Sequence, residues 1–207
     1  MAALLLIAAA VAQSATTSID LAAMQPGQAP AGFSFGRTGQ GAAGQWIVVD
    51  DPTAESGRAI AQTSQDRTDY RFPLAISGAV AAANVDVTIR FKSVAGKIDQ
   101  AGGIAVRLSS PDNYYVVRAN ALEDNVNLYR VVNGRRSEIT GANVKVATGQ
   151  WHVLALKAEG DRLTVSFDGK QLYAATDKTF VEAGRVALWT KADSVTYFDR
   201  IAIRPLP

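Results

Sequence analysis

At 207 residues, 48% of them apolar, the chain is long enough for one sizeable core; it has no cysteine, so disulfides, thiolate metal sites and a cysteine nucleophile are excluded. Its 21 basic and 19 acidic residues leave a net charge of +2. The basic residues are scattered, which argues against the concentrated cationic face of a nucleic-acid protein; only Arg135-Arg136 sit together, after a tight turn where such charges are normally solvated.

The chain opens with MAALLLIAAAVA. This apolar run is too short for a bilayer span and ends in an Ala-x-Ala pattern, so residues 1–12 read as a secretory leader, though without a basic residue ahead of the run. Export to the periplasm or the medium is expected, and no later segment reads as a transmembrane span. Residues 13–44, rich in Gly, Ala, Pro and Gln, read as a flexible lead with one short strand at Phe33 and Phe35. Residues 45–207 read as a β-sandwich. Trp46 to Asp50 and Arg58 to Thr63 are its first strands. Tyr70 to Leu74 follows, and Pro73 marks it as an edge strand or a strand end. Val85, Val87, Ile89 and Phe91 alternate with Asp86, Thr88, Arg90 and Lys92, the period of a half-buried strand.

The centre of the chain, Gly102 to Arg136, predicts three antiparallel strands: Ile104 to Leu108, Tyr114 to Ala121 and Val126 to Val132. Asn133-Gly134 after them is the strongest hairpin signal, because both residues tolerate positive φ. Ile139 to Val146, Trp151 to Ala158 and Leu163 to Phe167 continue the pattern. Asp168-Gly169 predicts a second tight hairpin into Lys170 to Ala174. Gly184 to Thr190 and Val195 to Ile203 close the chain. No stretch holds a helical period over three turns. Strands and turns at such regular spacing predict an all-β, two-sheet antiparallel sandwich.

Three stretches carry a resemblance: GGIAVRLSSPDNYYVVRANALEDNVNLYRVVNGRR, GQWHVLALKAEGDRLTVSFDGKQL and GRVALWTKADSVTYFDRIAI. From Trp46 to Pro207 the chain resembles the concanavalin A-like lectin/glucanase superfamily, a jelly roll. More narrowly it resembles the bacterial exported 3-keto-disaccharide hydrolase domain family, often described as similar to family 16 glycoside hydrolases. The resemblance implies a jelly-roll sandwich whose concave sheet holds a sugar. The Glu-x-Asp-x-x-Glu catalytic motif of family 16 is absent; Glu55, Glu123, Glu138, Glu159 and Glu182 are isolated. Retaining hydrolysis needs two carboxyl groups about 5–5.5 Å apart, and no strand offers such a pair.

Alternation divides Tyr114 to Ala121 into a core set, Tyr115, Val117, Ala119 and Ala121, and an opposite set that includes Arg118 and Asn120. Neighbouring strands add Arg90, Arg107, Asn127 and Tyr129 to the expected binding face. Guanidinium and amide groups suit bidentate hydrogen bonds to sugars, and aromatic rings stack on them. Trp189 and Lys191 at the closing hairpin extend that set, with Val186 and Leu188 facing the core. His152, the one histidine, has no partner identifiable in the sequence and reads as structural or merely surface-exposed. Asp50, Asp112 and Asp124 lie in acidic turns whose hard oxygens would suit calcium; no other cofactor is expected. The expected function is glycan binding on the concave sheet. One alternative is a hydrolase or lyase acting on 3-keto-glycosides, with Arg118 as electrostatic stabiliser and Glu123 or Asp193 as base. The other is a structural or protein-binding envelope domain. The partner is therefore a carbohydrate and no nucleic acid, with the oligomeric state left open.

Overall fold

The computed structural model describes residues 15–207, and the expected leader over residues 1–12 lies outside them. The described residues form fifteen strands and no helix. In chain order they are β1 (Thr17–Ser18), β2 (Phe33–Gly39), β3 (Trp46–Asp50), β4 (Arg58–Gln62), β5 (Arg71–Ala82), β6 (Val85–Ala95), β7 (Ala101–Ser110) and β8 (Asn113–Asn120). They continue as β9 (Asn125–Val132), β10 (Arg135–Asn143), β11 (Trp151–Glu159), β12 (Arg162–Phe167), β13 (Lys170–Thr176), β14 (Gly184–Trp189) and β15 (Val195–Pro205).

Two antiparallel sheets result. One is ordered β13-β12-β11-β6-β15-β4-β3, with β1 paired to β15; the other is ordered β10-β9-β8-β7-β14-β5-β2. The predicted hairpins fall where expected: Asn133 and Gly134 have φ of 49° and 76°, and Asp168 and Gly169 have 47° and 78°. Between the sheets lies the main core, built from the alternating sets Val85, Val87, Ile89, Phe91 on β6 and Tyr115, Val117, Ala119 on β8, with Leu154 and Leu156 on β11. Burying one face of each strand fixes the pairing register, because a one-residue slip would turn every apolar side chain to water.

Two expectations change. The described part of the lead, residues 15–44, is not limited to the one strand expected at Phe33 and Phe35: β1 joins one sheet through Thr17 and Ile203, and β2 forms an edge of the other. Nor is Pro73 confined to an edge, since β5 runs between β14 and β2. It is tolerated because β14 ends at Trp189, so the missing N–H falls where the ladder stops, while the Pro73 carbonyl still accepts from the Thr190 N–H at 3.1 Å.

The outward face of the seven-stranded sheet carries a second apolar cluster, formed by Phe72, Leu74, Tyr114, Val116, Tyr129 and Trp189 with small residues between them. Tyr114 and Val116 are fully buried although they point away from the main core. An expected polar face is thus apolar at its centre, with polar side chains around it.

Candidate functional site

Four adjoining strands, β7 to β10, build the polar part of this outward face. Register sets Arg118 opposite Asn127, and Tyr129 opposite both Val116 and Glu138. The two-residue turn at Asn133-Gly134 then sets Arg136 opposite Val131, on the same face. Tyr70 pins that hairpin: its hydroxyl donates to the Gly134 carbonyl at 3.1 Å and accepts from the Arg136 N–H at 2.5 Å.

Tyr129 is the hub. Its hydroxyl accepts from Arg118 Nη2 at 2.9 Å and from Asn127 Nδ2 at 3.2 Å. Arg118 also donates to Glu123 Oε2 at 2.7 Å and to Asn125 Oδ1. Asn127 Nδ2 reaches Glu138 Oε2 at 3.0 Å. Gly141 makes this possible, because a Cβ there would run into the Asn127 side chain, 2.6 Å from its Cγ. Burial pushes the Glu123 carboxyl up, but Arg118, with Asn125 and Lys191 assisting, outweighs it and holds the group below the usual glutamate range. Beyond Tyr129 lies Arg136, whose guanidinium sits 4.5 Å from the centre of the Tyr129 ring, 4.7 Å from Phe72 and 5.9 Å from Trp189.

At the other end, Asp99 joins Asn120 and Lys191. Asn120 Nδ2 donates to Asp99 Oδ1 at 2.6 Å, and Lys191 Nζ lies 2.8 Å from Asp99 Oδ2 and 3.4 Å from Asp69. Burial holds the Asp99 carboxyl above its usual range, against the opposing pull of Lys191 and Asn120. Asn120 is itself fully buried, so it shapes the end of the face and offers nothing to a ligand.

The residues expected on the binding face are therefore divided. Arg118, Asn127 and Tyr129 come together, with Asn120 and Lys191 at one end. Trp189 takes the outward face as alternation predicts, but it is fully buried, stacked on Phe72 at 5.1 Å and donating to the Tyr114 hydroxyl at 3.2 Å. It floors the face and is no exposed platform. Arg90 belongs to the other sheet, paired with Asp199 at 3.0 Å. Arg107 leaves the group for a different reason. A bulge gives β7 an extra residue opposite β14, Arg107 has φ of 50°, and simple alternation fails there. Its guanidinium is buried and donates to the carbonyls of Ala83, Phe180 and Gly160 at 2.7, 2.6 and 2.5 Å. It staples the end of the sandwich.

Asp193 is also structural: its carboxylate accepts the backbone N–H groups of Lys97, Ile98 and Asp99 at 2.8, 3.0 and 3.1 Å. Burial pushes it up, but those three bonds prevail and keep it ionised below the usual aspartate range. His152 has the neighbour that the sequence did not reveal. Its Nδ1 lies 2.8 Å from Asp168 Oδ2, while Nε2 lies 3.0 Å from the Ala147 N–H, so both ring nitrogens are engaged. The calcium candidates are dispersed. Asp50 ends β3 beside Arg58, Asp112 lies in the β7–β8 turn, and Asp124 in the β8–β9 turn binds Lys145 at 2.8 Å. Among the described residues no three His, Asp or Glu side chains gather to hold a metal ion, and no helix is long and apolar enough to cross a membrane.

Arg136 and Glu138 were not singled out in the sequence. Continuing the alternation of Asn127, Tyr129 and Val131 around a two-residue hairpin would have placed both on this face.

Fold and face together define a lectin-type antiparallel β-sandwich. Residues 67–206 match the galactocerebrosidase C-terminal lectin domain, and the chain belongs to that family. No curated protein matches its sequence. Among solved structures it is similar to the carbohydrate binding module CBM66 from Bacillus subtilis, at 18% identity and a TM-score of 0.62, over 93% of this chain and 97% of that one. It is also similar to domain 4 of AbnA, a GH43 extracellular arabinanase from Geobacillus stearothermophilus solved with arabinotriose, at 15% identity and a TM-score of 0.62, over 93% of each chain. A galectin-like-fold protein of unknown function from Bacillus subtilis follows at 9% identity and a TM-score of 0.57, over 82% of this chain and 88% of that one. At these identities the likeness is one of fold.

Proposed function

We propose that this chain is a glycan-binding module and that the sugar lies on the outward face of the seven-stranded sheet, along the line from Glu123 to Glu138. The observation that carries the reading is the hydrogen-bonded ladder Glu123–Arg118–Tyr129–Asn127–Glu138, whose two ends, Glu123 and Glu138, lie partly or fully at the surface. Planar amides and carboxylates held in fixed orientation are what paired sugar hydroxyls require. Membership of a lectin-domain family supports it. So do a structural neighbour described as a carbohydrate binding module and another solved with arabinotriose.

The reading is one of binding without turnover. Each carboxylate near the face is already engaged: Glu123 by Arg118, Glu138 by Asn127, Asp99 by Lys191 and Asp193 by three amides. Glu123, Asp99 and Asp193 are committed to partners within the fold, and the exposed Glu138 is assigned to sugar hydroxyls. Calorimetry or a glycan array with the purified chain tests the proposal. Binding should be saturable and weakened at least about tenfold in Asn127→Ala, the loss of hydrogen bonds to a bound ligand. Undiminished binding in Arg118→Ala would place the sugar elsewhere. Turnover of a 3-keto-glucoside would replace the reading with an enzymatic one.

A further inference from the structure

Two guanidinium groups share the ring of Tyr129, with Arg118 5.6 Å and Arg136 4.5 Å from its centre, yet their electrostatic situations differ. Arg118 is neutralised by Glu123. Arg136 has no ion-pair partner and no side-chain hydrogen bond among the described residues, and its Nη1 is shielded from solvent without an acceptor. Arg37 Nε and Arg118 Nε are likewise shielded without an acceptor, whereas the most deeply buried arginines are satisfied. Arg107 gives its guanidinium to three carbonyls, and the fully buried Arg71 donates to the carbonyls of Ala42, Ala192 and Ala43 and to the Ser64 hydroxyl at 2.6 to 3.0 Å. The shielded nitrogen is closed to water and ligand alike, so what Arg136 offers is the open part of a guanidinium whose charge no acid among the described residues neutralises. The three rings around Arg136 hold it in one orientation, and the Tyr70 clamp fixes the turn that carries it. The side chain is only partly buried, so part of it is open to the surface.

We infer that the glycan is acidic: a sugar carboxylate, of the uronic-acid class, pairs with Arg136 while its hydroxyls meet the Asn127–Glu138 end of the ladder. This rests on the glycan-binding proposal above and names the class of sugar. The planar fork of a guanidinium matches a planar carboxylate by two parallel hydrogen bonds, which a neutral hydroxyl cannot supply. The two nearby acids do not oppose it strongly. Glu123 is compensated by Arg118, and Glu138 is exposed to water and bound by Asn127.

The test compares, by calorimetry on the whole chain, short oligosaccharides of galacturonic or glucuronic acid with their methyl esters, the same sugars without the charge. The acid should bind about tenfold more tightly than its ester. That ratio should fall towards one in Arg136→Met, which keeps an apolar stem over the rings. It should survive in part, with steeper salt dependence, in Arg136→Lys. Equal binding of acid and ester by the unmodified chain overturns the inference and leaves the glycan-binding proposal standing. So does a preference for sulfated over carboxylated sugars, or a ratio unchanged in Arg136→Met. If neither form nor any neutral glycan binds, the underlying proposal fails with it.

Discussion

Both sheets set aromatic and basic side chains together on their outward faces, and they differ in how those charges are used. On the eight-stranded sheet, Trp151 lies under Arg90 and Lys92, 4.9 and 4.8 Å from its ring, and donates to the Thr53 hydroxyl at 2.9 Å. The cations around that ring have acids: Lys92 meets Asp51 and Arg90 meets Asp199 at 3.0 Å, and further along the sheet Arg204 meets Asp86 at 2.6 Å. Asp199 also accepts the Glu55 N–H at 2.8 Å, which ties the loop after β3 onto the sheet. On the seven-stranded sheet, an aromatic floor again lies beside two arginines, but Arg136 is left without an acid and Asn127 and Glu138 face outward. Aromatic and basic residues on a sheet face are thus no sign of a site in themselves. The informative feature is a charge that the fold has oriented and left unpaired.

Substitutions can break that contrast. The largest effect on stability belongs to the satisfied face: Asp199→Ala strands Arg90 and frees the loop, and should cost about 3 kcal/mol in denaturant unfolding while leaving glycan affinity unchanged. Arg118→Ala should lower both quantities, with about 2 kcal/mol lost from unfolding because Tyr129, Glu123 and Asn125 lose their common donor. A loss of stability without a loss of affinity would make the seven-stranded face as purely structural as the other. Glu138→Ala should move affinity alone, with unfolding changed by no more than about 0.5 kcal/mol for so exposed a residue. The smallest effect is expected from Gly141→Ala. Its new methyl group must push Asn127 aside, so affinity should fall a few-fold with little change in thermal stability; an unaltered affinity would show that the orientation of Asn127 does not matter.

Much of this could be read in the sequence. The alternation through Val85 to Phe91 identified a half-buried strand, and Asn133-Gly134 located a hairpin whose residues do adopt positive φ. The alternation at the closing strand correctly set Val186 and Leu188 inward and Trp189 outward. Arg118, Asn127 and Tyr129 were correctly grouped because they lie on regular strands, where the period of two holds. Arg107 was misplaced because alternation fails at a bulge, and a bulge is set by the neighbouring strand β14. Arg136 was passed over because a charge after a turn is normally solvated, and nothing local indicates that Phe72 and Trp189 will lie beneath it.

The sequence by itself determined most of the strands, the two tight hairpin turns and the inward faces of β6, β8 and β14, because these depend on side-chain alternation and on the φ preferences of a few residues. Tertiary structure alone decided which cations are neutralised. Arg90 meets Asp199 and Lys92 meets Asp51 across 109 and 41 residues of sequence. Arg136 finds rings from β5, β9 and β14 and no acid. Partnership of this kind follows from sheet order, which sets distant strands side by side, and no short-range pattern in the chain encodes it.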